Sequence, residues 1–375
     1  MKLTIPTEER AAFLEDLRAL NKVVNQKTTM PILSMLLLQA EGSILRMTAF
    51  DLEVALTCNT KVDTAKKGEL CVAAAAFLKT VEKLADGPIT LEANEKTLII
   101  KCAGFKSSLG TMGADNYPPL FAEKGMTSIG DVPPAALISA LRAVDYAQSE
   151  DASQRLFMRG VNFRSKKTGT TAAALSGQRL AVTKTAIDFK FPKGTTEFIL
   201  PTRAASLVLG LLKSAGSAEV GLLIGNAYLV IEMESQRFMA RLIDSEFPAY
   251  ENAIPAPQPN VLEFKHAELS AALDRVLLYV GEMSMVVLSG APGQEMVLAA
   301  AENVKSLGDA SEPVASSEIV EAFTVRANGG QIQEALRHID SENVVVEVGG
   351  SQAIALYSPG RRDEQIHVSS IFPEA

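Results

Sequence analysis

The stretch Phe13-Leu14-Glu15-Asp16-Leu17-Arg18-Ala19-Leu20-Asn21-Lys22-Val23-Val24 decides how the rest of the chain is read. Phe13, Leu17, Leu20 and Val24 recur at helical spacing, so one face is apolar and packs on a core. Arg10, Arg18 and Lys22 lie off that stripe. Thr7, followed by Glu8 and Glu9, is expected to cap the helix, with Arg10 at the place where a capping box would carry Glu or Gln. Stretches of the same kind return along the chain. Anchored on Leu17, Leu78, Leu141, Val208, Leu273 and Leu336, they are separated by 61, 63, 67, 65 and 63 residues. Short β-like runs lie between them. A chain that repeats one helix-plus-strands unit six times reads as an assembly of similar modules, a pattern commoner in architectural proteins than in catalysts.

The second stripe, Phe77, Val81 and Leu84, falls in a helix over about residues 73–85, with Lys79, Glu82 and Lys83 outward. The third uses Leu137, Leu141 and Val144 after Pro133-Pro134, where first-turn prolines are tolerated. The fourth starts after Pro201, with Thr202 as its cap and Ala205, Val208, Leu209 and Leu212 inward. Leu269, Leu273, Val276 and Val280 form the fifth; Ile332, Leu336 and Ile339 form the sixth. Strands are expected over 34–39, 44–49 and 53–58, with Glu41-Gly42 as a tight reversal, and over 89–92, 98–102 and 105–110, with Ala93-Asn94-Glu95-Lys96 as a hairpin.

Pro118-Pro119 marks a first boundary, and Pro255, Pro257 and Pro259 a second, because such runs form neither regular helix nor central strand. The expected domains are 1–126, 127–257 and 258–375, each with two helix-plus-strands units. The fold class is α+β, with antiparallel sheets on one side of each third and its two helices on the other. Spacing alone also fits three unrelated α+β domains.

The 375 residues, 47% hydrophobic and 21% charged, fit a soluble protein of two or three domains. Trp is absent and Tyr numbers only 6, which argues against a stacking platform for bases. A net charge of −8 argues against broad phosphate gripping, so any nucleic-acid contact is local, weak or topological. Cys58, Cys71 and Cys102 are an odd set without zinc-like pairing, as in a cytosolic protein, and are expected to be buried. Met1-Lys2-Leu3-Thr4-Ile5-Pro6 leads into a charged helix rather than a secretory leader, and the apolar run 276–289 is interrupted by Gly281 and Glu282. A cytoplasmic location without membrane association follows as the expectation.

No enzyme constellation is visible. His266, His338 and His367 lack metal-ligand spacing, and Gly216, Gly221 and Gly225 do not build a phosphate loop. Gly329-Gly330 and Gly349-Gly350 lack the strand–GxGxxG–helix context. Ser176-Gly177-Gln178 is not a nucleophile elbow. Asp51 and Glu53 sit on one side of a possible strand, as a metal site would require, although such a pair more often is solvated or caps a turn. No active site, metal or cofactor is expected.

Four segments carry a family likeness: Thr29-Met30-Pro31-Ile32-Leu33, Thr48-Ala49-Phe50-Asp51-Leu52-Glu53, Ser176-Gly177-Gln178-Arg179-Leu180-Ala181 and Arg241-Leu242-Ile243-Asp244-Ser245-Glu246-Phe247-Pro248-Ala249-Tyr250. In this order and spacing, with the sixfold rhythm, the chain resembles the bacterial DNA polymerase III beta subunit, the sliding clamp, over essentially its whole length. The resemblance implies a head-to-tail homodimer closed into a ring around double-stranded DNA, three clamp domains per chain, helices inside and sheets outside. Twelve helices each roughly 10 Å across give a hole roughly 28 Å wide, enough for a duplex and a layer of water.

The resemblance also implies partners: the polymerase III catalytic subunit, an ATP-driven clamp loader, and repair proteins that attach through linear peptides. Their groove would use Met158, Leu175, Gly177, Gln178, Arg179, Leu180, Pro248, Asn252 and Ala253, completed by Val368 and Ser370. Met158, Leu175 and Leu180 would receive apolar side chains, and Gly177 would permit a tight turn. Arg18, Lys22, Lys79, Lys83, Arg142, Arg203, Lys213, Arg275 and Arg337 are the candidates for facing DNA, although each alone is equally at home as a solvated helix charge. Ser107 and Leu109 would meet Leu278 and Tyr279 of the second copy. The chain departs from the family pattern where Thr-Asp-Gly-His-Arg-Leu is replaced by Leu175-Ser176-Gly177-Gln178-Arg179-Leu180, at Asn252 where a basic residue is common, and in its tail, Ser369-Ser370-Ile371-Phe372-Pro373-Glu374-Ala375. Partner preference is where these departures bear. The competing readings are a metabolic enzyme with duplicated α+β domains and a peptide-binding scaffold that no longer encircles DNA.

Overall fold

A computed structural model of the chain describes residues 1–375 except 95, 122–124, 150, 152, 154, 215–217, 226, 302–307, 350–352 and 373–375. Glu95 of the expected hairpin, Gly216, Gly350 and the last three residues of the tail therefore lie outside the described residues. The chain is α+β, and every strand pairing is antiparallel. It forms two compact units: Met1–Ala135 with Lys190–Gly194 and Arg203–Leu242, and Ala136–Phe189 with Thr195–Thr202 and Ile243–Ala375.

Helices form at all six amphipathic stretches: α1 (Arg10–Val23), α2 (Ala74–Glu82), α3 (Pro134–Val144), α4 (Thr202–Ser214), α5 (His266–Val276) and α6 (Gly329–Leu336). Their apolar stripes are buried as the spacing requires, with one exception. Leu209 is only half-buried, and Ala204 and Leu211 take the inward places on α4. The second helix is shorter than expected, and Leu84 packs from the turn beyond it.

Among the described residues of the first unit, a sheet of thirteen strands runs from Thr127–Val132 through Gln236–Arg241, Val54–Lys61 and Met35–Glu41 to Phe105–Met112 and finally Asp63–Lys66. The reversal after Glu41 uses Gly42 at φ +59, a conformation that glycine reaches without Cβ strain. α1 packs on α2, where Phe13 meets Phe77 edge to face at 6.1 Å. Thr7 does not cap α1. Residues Thr7–Glu9 form a 3-10 turn ahead of the helix, with no side-chain cap at either entry. Arg10 has a different role: its guanidinium donates to the carbonyls of Leu84 at 2.5 Å, Gly87 at 3.3 Å and Ala85, just past the end of α2.

Among its described residues the second unit holds a twelve-stranded sheet organised on the strand Gln365–Phe372. That strand pairs with Arg179–Thr185 on one side and Ala353–Tyr357 on the other, and its end reaches Phe323–Asn328. α5 and α6 share one core of Leu269, Leu273, Val276, Ile332 and Leu336. The proline-rich segment after Ile254 is irregular, yet it is held: Arg362 donates to the Pro255 carbonyl at 2.6 Å, and Gln258 to the carbonyls of Glu347 and Ala353. Arg362 in turn pairs at 2.9 Å with Glu347, which is buried and also accepts from the Tyr357 hydroxyl.

Candidate functional site

The hairpin made by Gly169–Ser176 and Arg179–Thr185 positions five of the eleven expected groove residues. Leu175 faces Leu180 across it, and Gly177-Gln178 form its tip beside Arg179. The tip does not need glycine in the way expected: Gly177 lies outside the left-handed region, and a Cβ there would meet open space. Val368 and Ser370 come from the last strand, where Val368 pairs with Leu180 and the Ser370 amide donates to the Gln178 carbonyl at 2.9 Å. Leu180 and Val368 are buried with Phe247, Tyr250 and Ile366, and Leu175 and Phe157 pack at the margin. Phe247 touches Phe157 and Tyr250 edge to face, at 6.0 and 6.1 Å.

Pro248 leads into the 3-10 turn Tyr250–Ala253, which carries Asn252 and Ala253, both exposed. Met158 is half-buried in the turn Leu156–Arg159, and its carbonyl accepts from the Ser149 amide at 2.7 Å. Leu180, only 4% exposed, belongs to the floor of this region rather than its accessible surface. Sequence reasoning missed Phe157, Phe247 and Tyr250, although the last two stand in a segment that carried the family likeness. It also missed Leu156, which is exposed next to Met158.

Arg179 is fixed from several directions. Its Nε donates to Ser176 Oγ at 3.2 Å, a terminal nitrogen donates to the Gln148 carbonyl at 3.1 Å, and the guanidinium lies 5.8 Å from the centre of the Tyr146 ring. Tyr146 also stacks on His338 at 4.5 Å and meets His367. Gln365 Nε2 donates both to the His338 carbonyl and to His367 Nε2, each at 2.8 Å. His367 therefore accepts at Nε2 and donates from Nδ1 to the Tyr146 hydroxyl at 2.8 Å. Burial, with the charge of His338 adding to it, lowers the His367 imidazole to about 3, so it is neutral at physiological pH.

Asp51 and Glu53 do not make a metal pair. Leu52 takes φ +77, and Asp51 Oδ1 accepts the amides of Glu53 and Val54 at 3.0 and 2.7 Å, so the carboxylate closes a turn. Among the described residues no group of three or more His, Cys, Asp or Glu is placed to hold a metal ion.

The family model described as DNA polymerase III beta subunit, N-terminal domain, matches residues 1–121, and the one for the central domain of the same subunit matches 131–249. Together they account for more than half of the chain. The chain belongs to the DNA polymerase III beta subunit family. As a sliding clamp it is a non-catalytic processivity factor that tethers polymerase and repair proteins to DNA. The beta sliding clamp of Synechocystis sp. is 23% identical over 365 residues, covering 92% of each chain, and that of Treponema pallidum is 27% identical over 343 residues, covering 90% of this chain and 91% of the relative. In fold, the chain superposes on the Pseudomonas aeruginosa DNA polymerase III subunit beta with a TM-score of 0.91 at 22% identity, covering 100% of both chains.

In this clamp all nine basic candidates are exposed on or next to the helices. Arg18 pairs with Glu82 at 3.0 Å, Arg275 grips Glu312 with two nitrogens, and Arg337 lies 3.3 Å from Glu334. Arg203 is held by Asp51 at 2.8 Å and donates to the Val23 carbonyl at 2.8 Å. Arg18 and Lys22 come together in the first unit at a groove of about 560 Å³ between α1 and α4, over Val23, Leu56 and Leu211. Lys79, Lys83, Arg142 and Lys213 stand elsewhere on their helices and turns. Ser107 and Leu109 lie half-buried on Phe105–Met112 in the first unit. Leu278, 71% exposed, and Tyr279 lie on a turn after α5 in the second. No helix among the described residues is long and apolar enough to cross a membrane.

Proposed function

We propose that two copies of this clamp join head to tail into a ring around duplex DNA, in the cytoplasm. Each contributes three domains, 1–126, 127–257 and 258–375, with helices lining the hole. The observation that carries the reading is coextension: the likeness to beta subunits runs the full length of both chains, so each part of the relative has a counterpart here. Two family matches that end at 121 and begin at 131 support a first boundary between 126 and 127. Two chains of net charge −8 cannot grip a polyanion by bulk attraction, so the ring holds DNA by topology. The nine basic side chains supply weak phosphate contacts without base readout.

Ser107 and Leu109 meet Leu278 and Tyr279 of the second copy. Exposed Phe105 and Met283, which stand next to these segments, support that assignment and extend it. The polymerase catalytic subunit, the clamp loader and repair proteins attach by linear peptides across the Leu175–Leu180 hairpin, Met158, the 248–253 turn, Val368 and Ser370. ATP is used by the loader. Solution mass with small-angle scattering tests the ring: a dimer with a central opening is expected, and a persistent monomer or a compact dimer without a hole overturns it. After loading, retention on circular duplex is expected to exceed retention on open-ended linear duplex; equal loss from both rejects topological holding.

A further inference from the structure

The groove floor of the second unit is a row of side chains across four strands, and the first unit contains a row of the same build. In the second unit Leu175 pairs with Leu180, Leu180 with Val368, and Val368 with Ala355. In the first, Phe50 pairs with Ala55, Ala55 with Met239, and Met239 with Val230. Each row is backed by a buried aromatic residue that precedes a proline, Phe247-Pro248 in one and Tyr117-Pro118 in the other. What lies over the rows differs. Two positions before Val230, on the same face of its strand, stands Tyr228; the matching place before Ala355 holds Ala353. The Tyr228 ring stacks on Phe121 with centroids 4.1 Å apart, and Phe121 meets Phe50 edge to face at 4.9 Å.

We propose that the first-unit row is a second peptide groove, filled from within by Phe121, which accepts a linear peptide with an aromatic anchor once that ring is removed. Each chain then offers its partners one open groove instead of two. The inference rests on the groove reading of the second unit. Phe121 comes from a segment outside any helix or strand, as a partner peptide does, and it packs on the cluster that contains Ala55, Met239 and Val230. That segment is anchored at Tyr117, whose hydroxyl donates to the Thr48 carbonyl at 3.2 Å. Pro118 and Pro119 stiffen the short path from this anchor to the ring, so little entropy is lost when it docks. A ring tethered in this way competes at an effective concentration on the order of millimolar or higher. A free peptide gains only the difference between its own affinity and that of the occupant it displaces. Tyr228 adds to the hold on Phe121, because its ring offers a stacking face that the methyl group of an alanine does not.

The test uses the full chain and a decapeptide with adjacent leucine and p-benzoylphenylalanine anchors, photo-crosslinked and mapped by mass spectrometry. Calorimetric titration with the phenylalanine form of the same peptide gives the stoichiometry. In the unaltered chain, crosslinks are expected in the second unit alone, within 156–158, 175–180 and 247–253, at about one peptide per chain. Phe121→Ala is expected to add crosslinks within 50–55 and 228–241 and to raise the ratio to about two. Tyr228→Ala, which gives the first row the alanine of the second and loosens the ring, is expected to add the same crosslinks in lower yield. It decides the matter where hydrogen exchange shows that Phe121→Ala has lost the strand Gln236–Arg241. If neither variant gains crosslinks in the first unit, the proposal is overturned and the groove stands. First-unit crosslinks already present in the unaltered chain also overturn it, because the ring then closes nothing. Absence of second-unit crosslinks in the unaltered chain defeats the groove reading. The proposal falls with it unless Phe121→Ala still gains the first-unit set.

Discussion

The helix pair α1/α2 in the first unit and the pair α5/α6 in the second are built on one plan and fastened with different chemistry. In each, the first residue of the earlier helix reaches the carbonyls where the later helix ends. Arg10 donates to three of them, at Leu84, Ala85 and Gly87, whereas His266 Nε2 donates to the Leu336 carbonyl alone, at 2.8 Å. Equivalent amphipathic stripes thus leave the polar joint free to vary, since the stripe settles only which face is buried. Ionisable burial differs too. All three histidines lie in the second unit, where His367 is enclosed. The first unit instead buries Asp16, whose Oδ1 accepts from Gln236 Nε2 at 2.6 Å.

Acid separates the two units most strongly. His367 is held near 3 in the folded chain and near 6.5 in the unfolded one, so its contribution is complete above pH 6.5 and fades as pH falls toward 3. Roughly 3 kcal/mol is lost by pH 4. Urea unfolding with hydrogen-exchange pulse labelling, which resolves the units, should show this loss in the second, and His367→Gln should flatten it. A flat profile in the unaltered chain breaks the contrast.

Removing the joints sharpens it further. Arg10→Met is expected to cost the first unit about 2 kcal/mol, and His266→Phe the second about 1 kcal/mol, because more charge-assisted bonds are lost at Arg10. Equal losses would show that the number of carbonyls reached is immaterial. The smallest effect is at Asp16. Burial raises its carboxyl, so the charged form burdens the first unit above its ordinary range near pH 3.8, and the burden lifts as pH falls. Asp16→Asn is therefore expected to stabilise that unit at pH 8 and to gain less toward pH 4. A loss at pH 8 would show that the charge is needed.

Periodicity made the helices legible because burial of one face is a local property of spacing. Phe13, Leu17, Leu20 and Val24 announce it without reference to the rest of the chain. The hairpin turn at Gly42 was legible for the same reason. Arg10 was not: it stands off the stripe, and its acceptors lie more than seventy positions away. Thr7 misled because a 3-10 turn supplied the entry to α1 that a side-chain cap would otherwise provide. The groove residues came from family likeness, and their partners Phe157 and Tyr250 emerged only when four separate segments met. A cavity of about 720 Å³ beside them was invisible in the sequence, since its lining residues Asp145, Gln178 and Gln331 belong to a turn, a hairpin tip and a helix start that only the folded chain brings together.

The strand Gln365–Phe372 has a consequence for how the protein is made. Arg179–Thr185 leaves the ribosome 180 positions before its neighbour begins, and must wait with one edge open while the intervening chain is synthesised. During that interval Leu180 and Val182 present an unpaired apolar border to solvent, a natural point of capture for chaperones and of misassociation at high expression.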